Sequence, residues 1–137
     1  MDLVTKVNEF LAQKKLAVIG VSREGDKVSN QVVKNLRRKG YQVFPVNPKA
    51  DQIDGETCYP SVAGLPEKVG GVVLVIPPEE TEKVVRDLDE FGIKRVWMQP
   101  GAESFDAIEY CESKGINAVY GNCIMVLSKN IDNSRGL

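Results

Sequence analysis

Apolar residues fall into short runs along the chain, and these runs predict the strands. Runs of four to six mostly apolar residues stand at 16–21, 41–46, 71–76, 95–99 and 117–120. Because few polar residues interrupt them, they favour strands buried on both faces of a sheet over strands with one face in water. Strands of that kind are typical of a parallel sheet covered by helices.

Amphipathic stretches separate the apolar runs and predict the helices. Apolar side chains recur at helical spacing in 29–39, 80–91 and 104–114, and a glycine follows each stretch, as it follows many helices. The end segments 4–11 and 124–128 are also predicted to be helical. With no internal repeat or linker, the pattern indicates a single α/β domain spanning the chain. We expect a Rossmann-like, doubly wound sheet of about five mostly parallel strands with helices on both faces.

The composition supports a globular domain and excludes several kinds of chemistry. The 137 residues are 42% hydrophobic, and 18 Lys and Arg balance 19 Asp and Glu, so no basic excess points to nucleic acid. The chain has no histidine, which excludes Ser-His-Asp and Cys-His catalysis and His-ligated zinc within it. Three widely spaced cysteines, no recognisable signal peptide and no long apolar run predict a cytoplasmic protein that does not enter a membrane.

In a doubly wound sheet the ligand lies beyond the carboxyl ends of the strands, and the first such end has the features of an anion site. The backbone N–H groups, serine hydroxyls and lysine of the loop after the first strand attract phosphate. Gly20 would let a phosphate approach the backbone closely. The alternative is an ordinary turn in which Gly20 permits close packing and Ser29 caps the next helix. The loop matches neither the GxGxxG nor the Walker A pattern. The candidate residues here are Gly20, Val21, Ser22, Lys27 and Ser29.

The second strand ends in a lysine where a NAD site usually has a carboxylate. Asn47, Pro48 and Lys49 follow this strand. A carboxylate would hold the free ribose hydroxyls of NAD, whereas a lysine attracts a phosphate on the ribose. The candidate ligands are therefore NADP, with a 2′-phosphate, and coenzyme A, with a 3′-phosphate. A solvated lysine after a turn is the alternative.

Two more strand ends and one cysteine complete the candidate site. Turns that contain proline, and therefore few backbone N–H donors, follow the third and fourth strands. They could form an apolar surface against an adenine or a pantetheine arm. The alternative is that each turn only ends its strand. Cys123 follows the last strand, either as a small buried apolar residue or as a thiol near the ligand. These candidates are Ile76, Pro77, Pro78, Gln99, Pro100, Gly101 and Cys123.

Four segments together resemble the small stand-alone CoA-binding domain proteins. They are residues 17–22 (AVIGVS), 40–48 (GYQVFPVNP), 55–61 and 96–101 (VWMQPG). The pattern is also similar to the N-terminal CoA-binding part of the succinyl-CoA synthetase alpha subunit and of ADP-forming acyl-CoA synthetases. The resemblance covers about residues 4–127, and the 40–48 stretch is its most specific part.

The resemblance implies a role for each strand end. Residues 20–22 would carry the CoA diphosphate, Lys49 would lie near the nucleotide, 76–78 would border the adenine and 99–101 the pantetheine. The larger relatives need a phosphorylated histidine on a second domain, and this chain has no histidine and no room for that domain. Stand-alone members often have Asp-Arg-Cys where this chain has Gly-Asn-Cys ending at Cys123.

The prediction is a cytoplasmic protein that binds coenzyme A or an acyl-CoA as its small-molecule partner, without catalysis of its own. No nucleic acid and no membrane is expected as a partner. One alternative is an NADP-dependent oxidoreductase or NADP-binding module, which Lys49 permits but the missing second glycine and missing substrate domain oppose. The other alternative is a protein–protein regulator with a vestigial nucleotide pocket.

Overall fold

A computed structural model describes residues 1–133 of the chain. Its helices are α1 (Leu3–Leu11), α2 (Val28–Arg38), α3 (Pro78–Glu90), α4 (Phe105–Ser113) and α5 (Ile124–Leu127), with a 3₁₀ turn at Val62–Gly64. Its strands are β1 (Lys15–Ile19), β2 (Gln42–Val46), β3 (Gln52–Ile53), β4 (Glu56–Thr57), β5 (Gly71–Leu74), β6 (Arg95–Met98) and β7 (Asn117–Val119).

One parallel sheet organises the fold. Its strand order is β2-β1-β5-β6-β7, and every neighbouring pair is parallel. The chain runs outward from β1 to β2, returns to the other side of β1 for β5, and then continues through β6 to β7. The direction of winding therefore reverses between β1 and β5, whose carboxyl ends form the topological switch point. The predicted Rossmann-like α/β fold is confirmed.

Helices cover both faces of the sheet, because crossovers of one hand change face when the winding direction reverses. α1, α2 and α5 pack on one face around the fully buried Trp97, and α3 and α4 pack on the other. Successive strand residues point to opposite faces, so in β1 Leu16 and Val18 join the first core and Ala17 and Ile19 the second. This double burial explains why the strands are apolar runs rather than alternating patterns.

The predicted strands run past the observed ones at the carboxyl edge. β1 ends at Ile19 and β5 at Leu74, whereas residues 20–21 and 75–76 belong to the turns that follow. These turn residues are apolar or glycine, so hydrophobicity alone does not separate them from the strands. Glycine and apolar residues, rather than a polar loop, therefore form the edge of the sheet at the switch point.

The sequence pattern does not predict the hairpin between β2 and β5. β3 and β4 have two residues each, too few to show alternation, and Asp54 and Gly55 turn between them with φ of +54° and +76°. Positive φ at both central residues is what a type I′ hairpin turn requires. Beyond it, the backbone oxygen of Tyr59 accepts a hydrogen bond of 2.9 Å from the N–H of Asn47, just after β2. The hairpin thereby brings residues 60–62 to the carboxyl edge of the sheet.

Candidate ligand-binding cleft

A cleft of about 450 Å³ opens at the carboxyl ends of β1, β2 and β5. Its volume is within the range of roughly 300–1,000 Å³ that small-molecule sites occupy, and it lies at the topological switch point. Strand ends, the segment after the hairpin and one face of α3 enclose it. The lining residues are Ile19, Gly20, Val46, Asn47, Pro48, Lys49, Pro60, Ser61, Val62, Val75, Ile76, Pro77, Glu80, Lys83, Val84 and Asp87.

The cleft brings together residues from three of the four predicted strand ends. Six of the predicted site residues line it: Gly20, Asn47, Pro48, Lys49, Ile76 and Pro77. The other predicted residues lie outside the lining and are Val21, Ser22, Lys27, Ser29, Pro78, Gln99, Pro100, Gly101 and Cys123.

Gly20 leaves β1 with a backbone conformation that only glycine adopts easily, φ +98°. A Cβ built at this position would stand 2.2 Å from the backbone oxygen of Val75 and 2.7 Å from Cγ2 of Ile76. The requirement for glycine therefore comes from the close approach of the turn after β5. Close packing, the alternative explanation given for Gly20, therefore accounts for the glycine. It does so whether or not a phosphate also lies against the same backbone.

The loop after Gly20 satisfies many of its polar groups internally. The N–H of Ser22 donates to Oγ of the buried Ser29 at 3.0 Å, and Nδ2 of Asn30 donates to the backbone oxygen of Ser22 at 2.9 Å. Val21 is buried, and the exposed ammonium of Lys27 pairs with the Glu24 carboxylate at 3.1 Å. Ser29 is therefore not the helix cap, since α2 begins at Val28. The Ser29 hydroxyl holds the loop against the helix instead.

Two hydrogen bonds anchor the turn after β2, which carries an exposed lysine. Nδ2 of Asn47 donates to the backbone oxygen of Val21 at 2.8 Å, and Oδ1 of Asn47 accepts from the N–H of Lys49 at 2.8 Å. The Lys49 side chain is exposed along the cleft and forms no ion pair within residues 1–133. The structure thus places a lysine side chain, on an anchored backbone, along the cleft at the carboxyl end of β2.

The wall formed by α3 is absent from the sequence-based prediction. Ile76 and Pro77 line the cleft as expected, whereas Pro78 is the first residue of α3 and lies outside the lining. Glu80, Lys83, Val84 and Asp87 line it as well, at the spacing of one helix face. The signal that could have identified them is the position of α3, which starts at the carboxyl end of β5 and therefore turns one face toward the switch point.

The turn after β6 lies beside the cleft, and its glutamine has a structural role. Gln99 is only 3% exposed, its Oε1 accepts a 2.7 Å hydrogen bond from the N–H of Ile124, and its Nε2 donates to Sγ of Cys123 at 3.4 Å. Pro100 and Gly101 are exposed in the turn. The Gln99 side chain therefore ties the end of β6 to the start of α5, and leaves the exposed turn residues as the surface that a ligand could reach.

Three cysteines occupy different environments. Cys58 and Cys111 are buried, and burial raises the pKa of the Cys58 thiol above its ordinary value and that of Cys111 to about 11. Both thiols therefore stay protonated and unreactive near neutral pH. Cys123 is partly exposed. Among the cysteines, it is the thiol that a reagent or ligand can reach.

Within residues 1–133, no group of three or more Cys, Asp or Glu side chains is arranged to hold a metal ion. In the same part of the chain, none of the helices has the length and apolar character needed to cross a bilayer. The features that can recognise a ligand are therefore the shape of the cleft, its apolar strand-end surface and the charged groups on its walls.

The parallel sheet and the cleft at its switch point define a Rossmann-like domain with a candidate ligand site. The lysine after β2 lines this cleft. The chain belongs to the CoA-binding domain family, whose model matches residues 14–129. It is 32% identical over 128 residues to the ADP-forming acetate–CoA ligase I of Archaeoglobus fulgidus, covering 86% of this chain and 19% of that protein. It is 27% identical over 122 residues to the uncharacterized protein YneT of Bacillus subtilis, covering 88% of this chain and 90% of YneT.

Solved structures of small proteins share the whole architecture. A conserved hypothetical protein from Pyrococcus furiosus is 42% identical with a TM-score of 0.78, and the match covers 82% of this chain and 97% of that one. A hypothetical protein from Pyrococcus horikoshii is 30% identical with a TM-score of 0.86, over 96% of this chain and 92% of that one. The chain thus spans about a fifth of the ligase it matches and nearly all of these small proteins.

Proposed function

We propose that this protein binds coenzyme A, or an acyl-CoA, in the cleft at the carboxyl ends of β1, β2 and β5. The observation that carries the proposal is Lys49, a lysine at the carboxyl end of β2 that lines the cleft and forms no ion pair within residues 1–133. In a Rossmann-like site, the end of this strand is where the ribose is bound. Membership of the CoA-binding domain family and similarity to acetate–CoA ligases support CoA as the nucleotide. The proposed binding unit is one domain with its core at about residues 4–127.

The adenosine end of CoA is assigned to the cleft itself. Ile76 and Pro77 offer an apolar surface to the adenine, and Val62 of the segment after the hairpin adds a second one. Lys49 then pairs with the phosphate on the ribose. Its ammonium group has no acceptor, so unlike a carboxylate it cannot accept hydrogen bonds from the hydroxyls of an unphosphorylated ribose. The volume of about 450 Å³ suits this part of the ligand, and the rest extends along the strand ends.

The diphosphate is assigned to the start of the loop after β1. Gly20 contributes cleft surface without a side chain, and Ser22, Lys27 and Ser29 follow in the same loop. A phosphate there either competes with the Ser29 hydroxyl for the N–H of Ser22 or uses the exposed ammonium of Lys27. The pair that Lys27 forms with Glu24 is exposed, so exchanging it for a phosphate costs little.

The pantetheine arm is assigned to the turn after β6. From the cleft it passes the carboxyl end of β5 and meets the exposed Pro100 and Gly101, with Cys123 beyond. The Gln99 side chain is already hydrogen-bonded inside the protein, so contacts with the arm come from the backbone and from Pro100. The thiol or acyl end of the ligand then lies nearest α5.

The protein is proposed to bind CoA without catalysing a reaction alone. The chain has no histidine to serve as a nucleophile or phosphate carrier. In this assignment the charged residues of the cleft lie at the nucleotide end of the ligand, away from its thiol. We propose a cytoplasmic location, a reducing compartment in which the three free cysteines of the described chain would stay reduced.

Calorimetric titration of the purified protein with CoA, dephospho-CoA, NADP and NAD tests the assignment. CoA should bind about tenfold to over a hundredfold more tightly than dephospho-CoA, the value of one charge-assisted contact of roughly 1.5–3 kcal/mol. Lys49→Ala should remove most of that preference and leave dephospho-CoA affinity nearly unchanged. Lys68→Ala is the matched control, because Lys68 is exposed before the amino end of β5, at the opposite edge of the sheet.

Three results would contradict the proposal. Equal affinities for CoA and dephospho-CoA would make Lys49 an ordinary surface lysine. Tighter binding of NADP than of CoA would favour the oxidoreductase or NADP-binding alternative, since NADP also has a ribose phosphate but lacks the pantetheine arm. A protein that binds none of the four nucleotides would favour the regulator with a vestigial pocket.

A further inference from the structure

The α3 wall of the cleft carries a lysine that has no ion-pair partner in the described part of the chain. Lys83 is exposed, lines the cleft and forms no ion pair within residues 1–133. Acidic residues stand at helical spacing on both sides of it, at Glu79, Glu80 and Asp87, so a surface pair was available. Lys83 lines the cleft instead.

Lys83 and Lys49 approach the cleft from opposite sides. β2 and β5 flank β1 in the sheet, and Lys49 follows β2 while α3 follows β5. With strands about 4.8 Å apart, β2 and β5 are separated by two spacings, about 10 Å, and the cleft opens at their carboxyl ends. Lys49 and Lys83 both line this one cleft, so their long side chains can turn toward the same bound group.

A ribose phosphate carries more charge than one lysine neutralises. A phosphate monoester holds a charge of about −1.5 to −2 at neutral pH, so a single ammonium leaves up to one negative charge unpaired. Lys49 supplies the first positive charge, and Lys83 is the remaining cation that lines the cleft. Glu80 and Asp87 line the same cleft, so the two lysines and two carboxylates leave the lining with no net charge. Such a lining does not favour a ligand that carries only negative charges.

We propose that Lys83 is a second phosphate-binding residue which, together with Lys49, brackets the ribose phosphate of CoA and sets the preference for CoA over dephospho-CoA. The proposal rests on the proposed function, because it takes CoA as the ligand of the cleft. It adds a specificity-determining residue on α3 that the strand-end pattern does not indicate. Glu80 and Asp87 then accept hydrogen bonds from the ribose hydroxyl or the adenine amino group, which are donors that a free phosphate lacks.

The test is a set of calorimetric titrations with CoA and dephospho-CoA on the full chain. The variants are Lys83→Ala, Lys83→Arg, Lys49→Ala and the control Lys68→Ala. Lys83→Ala should lower CoA affinity about tenfold or more, the effect of one lost charge-assisted contact, with dephospho-CoA affinity unchanged. Lys83→Arg, which keeps the charge, should retain the preference for CoA, and Lys68→Ala should behave as the wild type. Because Lys83 is exposed, these variants should keep the wild-type unfolding transition.

The outcomes separate this inference from the proposed function. If Lys49→Ala lowers the CoA preference and Lys83→Ala does not, CoA binding stands and the role of Lys83 is refuted. If Lys83→Ala weakens CoA and dephospho-CoA equally, Lys83 does not contact the phosphate and the inference is refuted. If the wild-type protein does not distinguish the two ligands or does not bind CoA, both proposals fail.

Discussion

Replacing Gly20 with alanine tests the packing of the switch point. The new Cβ would lie 2.2 Å from the backbone oxygen of Val75, and the residue would have to keep a φ of +98°. The matched control is Gly92→Ala, since Gly92 also has positive φ, +72°, but a Cβ there meets nothing within 4 Å. Both substitutions change the entropy of the unfolded chain equally, so that contribution cancels in the comparison.

The magnitudes differ because only one site adds a clash. The left-handed conformation costs a non-glycine residue roughly 1–2 kcal/mol, which applies to both variants. Forcing the turn after β5 to move adds roughly 1–3 kcal/mol at Gly20 alone, as overpacking does in other cores. We expect Gly20→Ala to lose about 2–5 kcal/mol of the free energy of unfolding, and Gly92→Ala about 1–2 kcal/mol.

Urea unfolding measures this difference, with the fluorescence of the single, fully buried tryptophan, Trp97, as the probe. The reasoning is refuted if the two variants unfold within about 0.5 kcal/mol of each other, the usual range of a neutral substitution. In that case the Val75 oxygen does not dictate glycine, and phosphate approach becomes the better explanation of Gly20. A lower CoA affinity in Gly20→Ala is expected in either case, so binding alone does not decide between the two explanations.

Two further predictions concern the corner between β6 and α5. Gln99→Leu should lower the free energy of unfolding by about 1–3 kcal/mol, because it leaves the buried N–H of Ile124 without its acceptor. The exposed Gln31→Leu on α2 should change it by less than about 0.5 kcal/mol, and an equal loss in both variants would argue against the role assigned to Gln99. Cys123 should form a mixed disulfide with oxidised CoA, its thiolate displacing one CoA thiol, so that mass spectrometry finds one added CoA on the Cys123 peptide. Modification at the buried cysteines instead, or none at all, would remove Cys123 from the ligand's reach.

Sequence periodicity is sufficient for the main elements and for the class of fold, whereas the order of the strands comes from the structure. Residues such as those of β1 are apolar on both faces because helices cover both sides of the sheet, and that pattern is visible without coordinates. The reversal of winding then follows from the single hand of the crossovers, which places the strand ends together. Six of the predicted residues therefore meet in one cleft.

The hairpin and the α3 wall lie beyond that kind of inference. β3 and β4 are two residues long, and only the Asp54-Gly55 turn signal marks them. From the sequence, Lys83 is expected to be a solvent-exposed residue of a helix. Its neighbours Glu80 and Asp87 would suit a face turned to solvent as well as one turned to the cleft. Which way that helix face points depends on the docking of α3 at the end of β5.

The sequence by itself determined the fold class and the strand ends that gather at one edge. It also predicts a phosphate-bearing ribose at Lys49. Those properties depend on periodicity and residue type, which are local. The tertiary structure alone decided that Gly20 is packed against Val75, that Gln99 turns inward to Ile124, and that Lys83 lines the cleft. Each of these is a contact between distant parts of the chain, and its geometry exists only after the sheet and helices have packed.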